Sequence, residues 1–210
     1  MQAGTLAAIW RYPVKALRAE PLAAAAILAD GLEGDRTAAL VVQTPDHTRA
    51  GKPFRGKESP RLHLTADPQT AIAEAAGARV GIALDRTQPR WFDARPVSVL
   101  FDLWVRDVEA LVGDALDPLR WRPNLFVTAA PSFALREPQL VGAALQCGAV
   151  ALRVVDTIDR CVTPNYDVVT GESDARVLRE VAQQRGNVVG VYCEVVTPGT
   201  VRAGDAVTLG

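Results

Sequence analysis

The chain has 210 residues, 23 Lys and Arg against 24 Asp and Glu for a formal net charge of −1, and 49% hydrophobic residues. That size suits one large domain or two small ones closely joined, and the balanced charge argues against nucleic acid or an anionic membrane as the main partner. No apolar run reaches membrane-spanning length, the start lacks a charged-then-apolar leader, and the three cysteines form no CxxC, so a soluble cytoplasmic protein in a reducing compartment is expected.

In chain order, Leu6 to Trp10 reads as a strand stopped by Pro13, and Ala23 to Leu28 as a short one ending at Asp30-Gly31. Ala38 to Val42 has the β-branched content and flanking turn residues of a strand. Residues 44 to 60, punctuated by Pro45, Gly51, Pro53, Gly56 and Pro60, read as a long basic loop of the kind that binds or covers a site. Leu62 to Thr65 and Arg79 to Leu84 alternate as edge strands, with a short helical turn at Ala71 to Ala76 between them. Residues 85 to 96 are irregular. Leu103, Val108, Leu111 and Val112 repeat at helical spacing from Asp102 to a stop at Gly113. Asn124 to Thr128 and Val150 to Val155 read as strands, and Asp174 to Gln184 as a helix with Val177, Leu178 and Val181 on one face. Val188 to Val196 and Thr200 to Leu209 read as a closing hairpin across Thr197-Pro198-Gly199. Many short strands with two or three helices, not interleaved one for one, point to a β-rich mixed α+β domain built as an antiparallel or mixed barrel.

Four segments set unusual polar residues at the ends of apolar elements: Tyr12-Pro13-Val14-Lys15, Gly31-Leu32-Glu33-Gly34-Asp35-Arg36, Arg120-Trp121-Arg122-Pro123-Asn124, and Asp159-Arg160-Cys161. Converging arginines and a lysine fit an anionic ligand, the arginines as bidentate partners and the lysine as a point charge. Cys161 beside Arg160 is a candidate thiolate: a nucleophile, a sulfur carrier or a soft metal ligand. Bland readings stand beside these. Asp35-Arg36 suits a structural ion pair, Arg120 and Arg122 suit surface cover with their stems, and Cys147 and Cys193 suit small buried residues. His47 and His63 have no second ligand at metal spacing, so no histidine metal site is expected. There is no Gly-rich phosphate loop and no nucleophile elbow.

Taken together, these segments resemble the MOSC family, named for the C-terminal domain of molybdenum cofactor sulfurases. Tyr12-Pro13-Val14-Lys15 looks like the family's YPVKS opening, although Ala16 stands where the serine does, and Gly31-Leu32 to Gly34-Asp35-Arg36 looks like its GL-x-GDR turn. Arg122-Pro123-Asn124 is similar to its RPN step and Arg160-Cys161 to its cysteine motif. Gly190-Val191-Tyr192, Pro198-Gly199-Thr200-Val201 and Gly204-Asp205 are similar to its ending.

The resemblance implies a single MOSC-type β-barrel domain over 1–210, with an N-terminal MOSC-associated part at 1–95, reduced in size, and the MOSC core at 96–210. Its nearest branch looks like the amidoxime-reducing proteins and their bacterial relatives. That branch implies molybdenum cofactor (Mo-molybdopterin), with Cys161 as metal ligand and catalytic residue. It further implies Lys15, Arg36, Arg122 and Asn124 around the pterin and its phosphate, and Asp159, Tyr192 and Arg95 near the cofactor. The implied activity is reduction of N-hydroxylated or related oxidised small molecules. The chain lacks the cysteines for an iron–sulfur cluster and any haem or flavin motif, so an external electron-transfer protein with flavin, haem or iron–sulfur would be its partner. Pyridoxal phosphate, attached to the family through fused relatives, is not expected. The alternatives are a sulfur carrier or transferase holding a persulfide on Cys161, and a non-catalytic binding or delivery protein for the cofactor.

Overall fold

The computed structural model describes residues 1–55 and 62–210; the end of the long basic loop read at 44–60 lies outside them. Strands β1 (Gln2–Arg11), β7 (Val97–Phe101), β8 (Leu125–Ala129), β9 (Ala144–Cys147), β10 (Val150–Asp159), β11 (Val188–Thr197) and β13 (Ala206–Leu209) form one sheet, and β13 pairs back onto β1. Among the described residues this makes a closed seven-stranded barrel. Closure leaves the barrel strands without a free edge. The pairings are antiparallel except for β7 beside β8, which run parallel with Val99 opposite Leu125. The fold is thus the mixed barrel that the strand-rich sequence implies.

Buried residues run the length of the long strands. In β10, Val150, Leu152 and Val154 alternate and are at most 1% exposed; in β1 the equally buried Ala3, Leu6 and Ile9 are three apart. Bulges shift the register in both strands, which adds the local bend that a closed barrel needs. Gly4 is required at the β1–β8 contact, since a Cβ there would lie 2.2 Å from the Thr128 carbonyl oxygen.

The shorter strands β2 (Glu20–Leu22), β3 (Ala24–Leu28), β4 (Gly31–Leu32) and β12 (Gly199–Arg202) sit beside the barrel: β2 extends β1, and β12, β3 and β4 form a three-stranded sheet. A separate pair, β5 (Ala39–Val42) with β6 (Ile82–Asp85), packs with helix α1 (Pro68–Gly77) around Leu40, Val42, Phe54, Leu62, Ala71 and Ile82. Helices α2 (Asp102–Val112), α3 (Glu137–Leu140) and α4 (Ala175–Gln184) pack on the outside of the barrel. Their apolar residues Trp104, Val105, Val108, Val177 and Val181 join the barrel core. Arg185, after α4, ties this layer together through Asp107 (2.7 Å) and the buried Glu137 (2.6 Å). No helix among the described residues is long and apolar enough to cross a membrane.

Three local readings change, and strand β7 has no counterpart among the elements read from the sequence. Leu62–Leu64 is a 3-10 turn, not an edge strand, because Leu62 and His63 both turn inward. The helical turn at 71–76 is a ten-residue helix, with Asp67 capping the backbone N–H groups of Gln69 and Thr70. The closing hairpin does not form. Strand β11 pairs with β10 and β7, while β12 crosses to β3 and β13 to β1 and β9, so the Pro198-Gly199 turn separates strands of different sheets. Strand β7 has all five residues buried. It therefore shows no alternation and runs straight into α2, which hides it from periodicity.

Candidate functional site

Five described non-glycine residues adopt a left-handed backbone: Ala16, Arg36, Arg79, Arg122 and Asn187. Ala16 (φ 73°), Arg36 (φ 48°) and Arg122 (φ 54°) all line one cleft, and the side chain of Asn187 donates to the carbonyl of Arg160, which lines it too. Left-handed φ costs an L-residue roughly 1–2 kcal/mol, and such strain collects at functional sites. The cleft holds about 360 Å³. It lies between the end of β1, the turn after β4, the segment leading into β8 and the end of β10 on one side, and Phe54 and His63 of the smaller cluster on the other.

Pro13 ends β1, and the chain then bridges Val14 to Ala38, which carries Lys15 to the rim. Lys15 Nζ pairs with Asp93 at 2.7 Å and donates to the Phe92 carbonyl at 3.1 Å. Asp35 is fully buried; it accepts the backbone N–H of Tyr12 (2.7 Å) and the Nη1 of Arg36 (2.5 Å). The guanidinium groups of Arg36 and Arg122 lie 4.8 and 4.2 Å from the centre of the Tyr12 ring, a stabilising cation–π arrangement. Burial pushes the Tyr12 phenol up to about 12 despite both arginines, so it stays protonated and donates to the Pro123 carbonyl at 3.1 Å. Arg120 is buried as well, bonded to the Pro164 and Asn165 carbonyls and to Asp167 at 2.8 Å. Neither Arg120 nor Arg122 serves as surface cover.

Cys161 follows the end of β10 and is exposed, its Sγ 3.2 Å from Thr163 Oγ1. Its neighbour Arg160 has no carboxylate partner among the described residues. Its guanidinium donates to the Val189 and Trp121 carbonyls and lies over the Trp121 ring. Burial lowers Arg160 to about 10, which leaves it charged at neutral pH. Gly190 makes room for it: a Cβ there would meet Arg160 Nη2 at 2.9 Å, at a φ of +90°. Gly190→Ala is therefore expected to destabilise the fold by about 2 kcal/mol, from left-handed strain and a displaced guanidinium; a urea unfolding series checks this.

Of the residues expected at the site, Cys161, Lys15, Arg36, Arg122, Asp159 and Tyr192 line the cleft. Asn124 is 1% exposed and stands behind it, its Oδ1 accepting from Ser98 N–H and Oγ–H (3.1 and 3.0 Å) and from Arg36 Nη1 (3.5 Å). Arg95 is exposed and pairs with Glu194 outside the cleft lining. Tyr12 and Asp35, from two of the four polar segments, belong to the same assembly, and so does His63, which no sequence pattern joined to Cys161. Six cationic side chains line the cleft against the carboxylates of Asp93 and Asp159, so an anionic ligand is favoured. The most telling group is Arg122, whose Nη2 is buried with no hydrogen-bond partner among the described residues. Burial, reinforced by Arg36, lowers its pKa, as expected for a cation awaiting a counter-charge.

His63 is 7% exposed, stacked on Tyr166 at 5.8 Å, and its pKa is lowered by burial and then by Arg122. As pH falls through the ordinary value of 6.5, the unfolded chain takes up this proton before the folded one does, so stability declines on acidification. The contribution is complete above that pH. Melting temperature measured from pH 8 down to 5.5 is expected to fall in wild type and to be flatter in His63→Phe.

The MOSC domain model matches residues 71–208. The chain belongs to the MOSC domain family, whose members are associated with binding molybdenum cofactor. The YUAD protein from Bacillus subtilis has a similar structure, with 16% identity, a TM-score of 0.60, and coverage of 100% of this chain and 96% of that one. At that identity the likeness is one of fold. YiiM from Escherichia coli is 15% identical over 98% of this chain and 69% of its own, with a TM-score of 0.47. A comparison with curated protein sequences returned no match.

Proposed function

We propose that this protein is a molybdenum-cofactor oxidoreductase of the amidoxime-reducing branch, reducing N-hydroxylated or related oxidised small molecules with electrons from an external electron-transfer protein. One observation carries the reading: an exposed thiol, Cys161, lines the same cationic cleft as Arg122, whose buried Nη2 has no hydrogen-bond partner among the described residues. The donor set fits the group. A soft sulfur ligand suits a metal already bound by dithiolene sulfurs, and paired guanidiniums suit a phosphate. When bound, the cofactor supplies two-electron redox chemistry at its metal.

The chain's own residues have separable tasks. Cys161 is the protein ligand. Arg122 and Arg36 take the phosphate, with Asp35 and Asn124 fixing the direction of Arg36. Lys15 adds a point charge at the rim, and Asp159 and Tyr192 border the open side. Burial raises the Tyr192 phenol further above neutrality, so it presents a hydroxyl donor to the cleft. Overall, a substrate N–O bond breaks, two electrons arrive from the donor protein, two protons are taken up and water leaves. Protein made in a cofactor-competent host, reduced anaerobically and mixed with a hydroxylamine-type substrate, is expected to contain molybdenum and to be reoxidised. Protein without molybdenum would refute the reading.

The exposure of Cys161 also favours a second reading, a sulfur carrier loaded by a partner. Mass spectrometry finding a persulfide on Cys161 in metal-free protein would select it.

A further inference from the structure

We propose that Nδ1 of His63 is a hydrogen-bond acceptor for substrate, selecting molecules that carry an N–O–H donor over oxides that carry none. The inference rests on the reductase reading of the cleft and names the substrate class within it.

His63 lies on the 3-10 turn Leu62–Leu64, outside the barrel, and lines the same cleft as Cys161. Its ring is held on two sides: it stacks on Tyr166, and Nε2 faces the Asp167 carbonyl oxygen at 3.4 Å. A carbonyl only accepts, so Nε2 carries the proton and Nδ1 presents a lone pair. That Nδ1 is buried and without a hydrogen-bond partner among the described residues. Buried polar atoms in folded proteins are nearly always paired. A donor brought in through the cleft is what would satisfy this one. Burial and the nearby Arg122 and Arg120 keep the imidazole neutral, so the lone pair persists at neutral pH.

The cleft has other acceptors, but they discriminate less. Asp93 is bound to Lys15 and more than half exposed, and Asp159 is exposed; at both, water replaces any bond that a ligand fails to make. At a buried acceptor no such replacement is at hand, so a ligand lacking the donor is penalised. Hydroxamic acids, amidoximes and hydroxylamines supply an O–H. Tertiary amine oxides and sulfoxides require the same two electrons and two protons but have no hydrogen to give.

Two measurements test this. The chain contains two histidines, so its imidazole 15N spectrum is assignable with His47→Gln. Acetohydroxamic acid is expected to shift the His63 Nδ1 resonance, and trimethylamine N-oxide to leave it in place. In cofactor-loaded protein, His63→Leu is expected to lower kcat/KM for a hydroxamic acid or amidoxime about 10- to 100-fold, with an amine oxide changed less than about twofold. His63→Asn puts an amide at the Nδ1 position and should restore much of the loss. His63→Gln puts it at the Nε2 position, keeps a donor for the Asp167 carbonyl and should not. An unmoved Nδ1 resonance, equal losses for both substrate classes, or rescue by His63→Gln instead of His63→Asn would overturn the proposal. A shifted resonance in a protein that reduces neither class would refute the reductase reading and leave the hydrogen bond standing.

Discussion

Cys161→Ser is expected to give a folded protein that has lost its redox activity. The sulfur is exposed, and its hydrogen-bond partner among the described residues is Thr163 Oγ1, so the exchange removes little packing. Surface substitutions of this kind stay within about 0.5 kcal/mol, which for a chain of this length moves the melting temperature by roughly 2 °C at most. Activity should drop far more. Loss of groups that merely support a metal ligand costs about 10- to 100-fold, and removal of the ligand itself should exceed the upper figure. Metal analysis, activity and thermal melting on the same preparation check the prediction. Full molybdenum content and full turnover in the serine variant would remove Cys161 from the mechanism. A collapsed fold would show that the thiol has a structural role not visible in its surroundings.

The second large effect lies behind the cleft. Asp35→Ala removes a fully buried carboxylate that bonds both Arg36 and the Tyr12 backbone N–H. Arg36 would then share the Tyr12 ring with Arg122 and have no carboxylate at hydrogen-bond distance among the described residues. Breaking a buried pair from one side costs about 3–5 kcal/mol, because the remaining charge stays desolvated. The melting temperature should fall by roughly 6–20 °C. Replacing both charges, Asp35→Ala with Arg36→Met, should recover part of the loss, since no uncompensated charge remains; the unpaired Tyr12 N–H keeps the recovery incomplete. Unfolding free energies for the two single variants and the double form the cycle. Additive losses would mean that the two side chains do not act as a pair.

Much of the site was legible as motifs and little of it as geometry. Tyr12 to Lys15, Gly31 to Arg36, Arg122 to Asn124 and Arg160-Cys161 stand out because each sets polar groups at the end of an apolar element. The barrel brings most of these ends to one mouth. What the motifs did not separate is which members face a ligand and which hold others in place. Asn124 looks like a ligand reader in sequence, and it is committed to Ser98 and Arg36. Arg95 looks close to the site, and it turns out toward Glu194. Such differences depend on which way a side chain leaves the backbone, and in a bulged strand or a left-handed turn the simple alternation rule does not give that direction.

The amino-acid order by itself determined the strand-rich composition of this chain, the strands at Leu6 to Trp10 and Val150 to Val155, the helices that open at Asp102 and Asp174, and the set of polar segments that mark the family. Those follow from local periodicity, capping and turn chemistry, which act over a few residues. The tertiary structure alone decided that β13 returns to β1 instead of pairing in a hairpin, that Arg160 is held by backbone carbonyls, and that His63 from outside the barrel meets the cleft of Cys161. Those contacts join residues tens to hundreds of positions apart. They are set by which burial and closure satisfy the whole chain at once, and no local window contains that information.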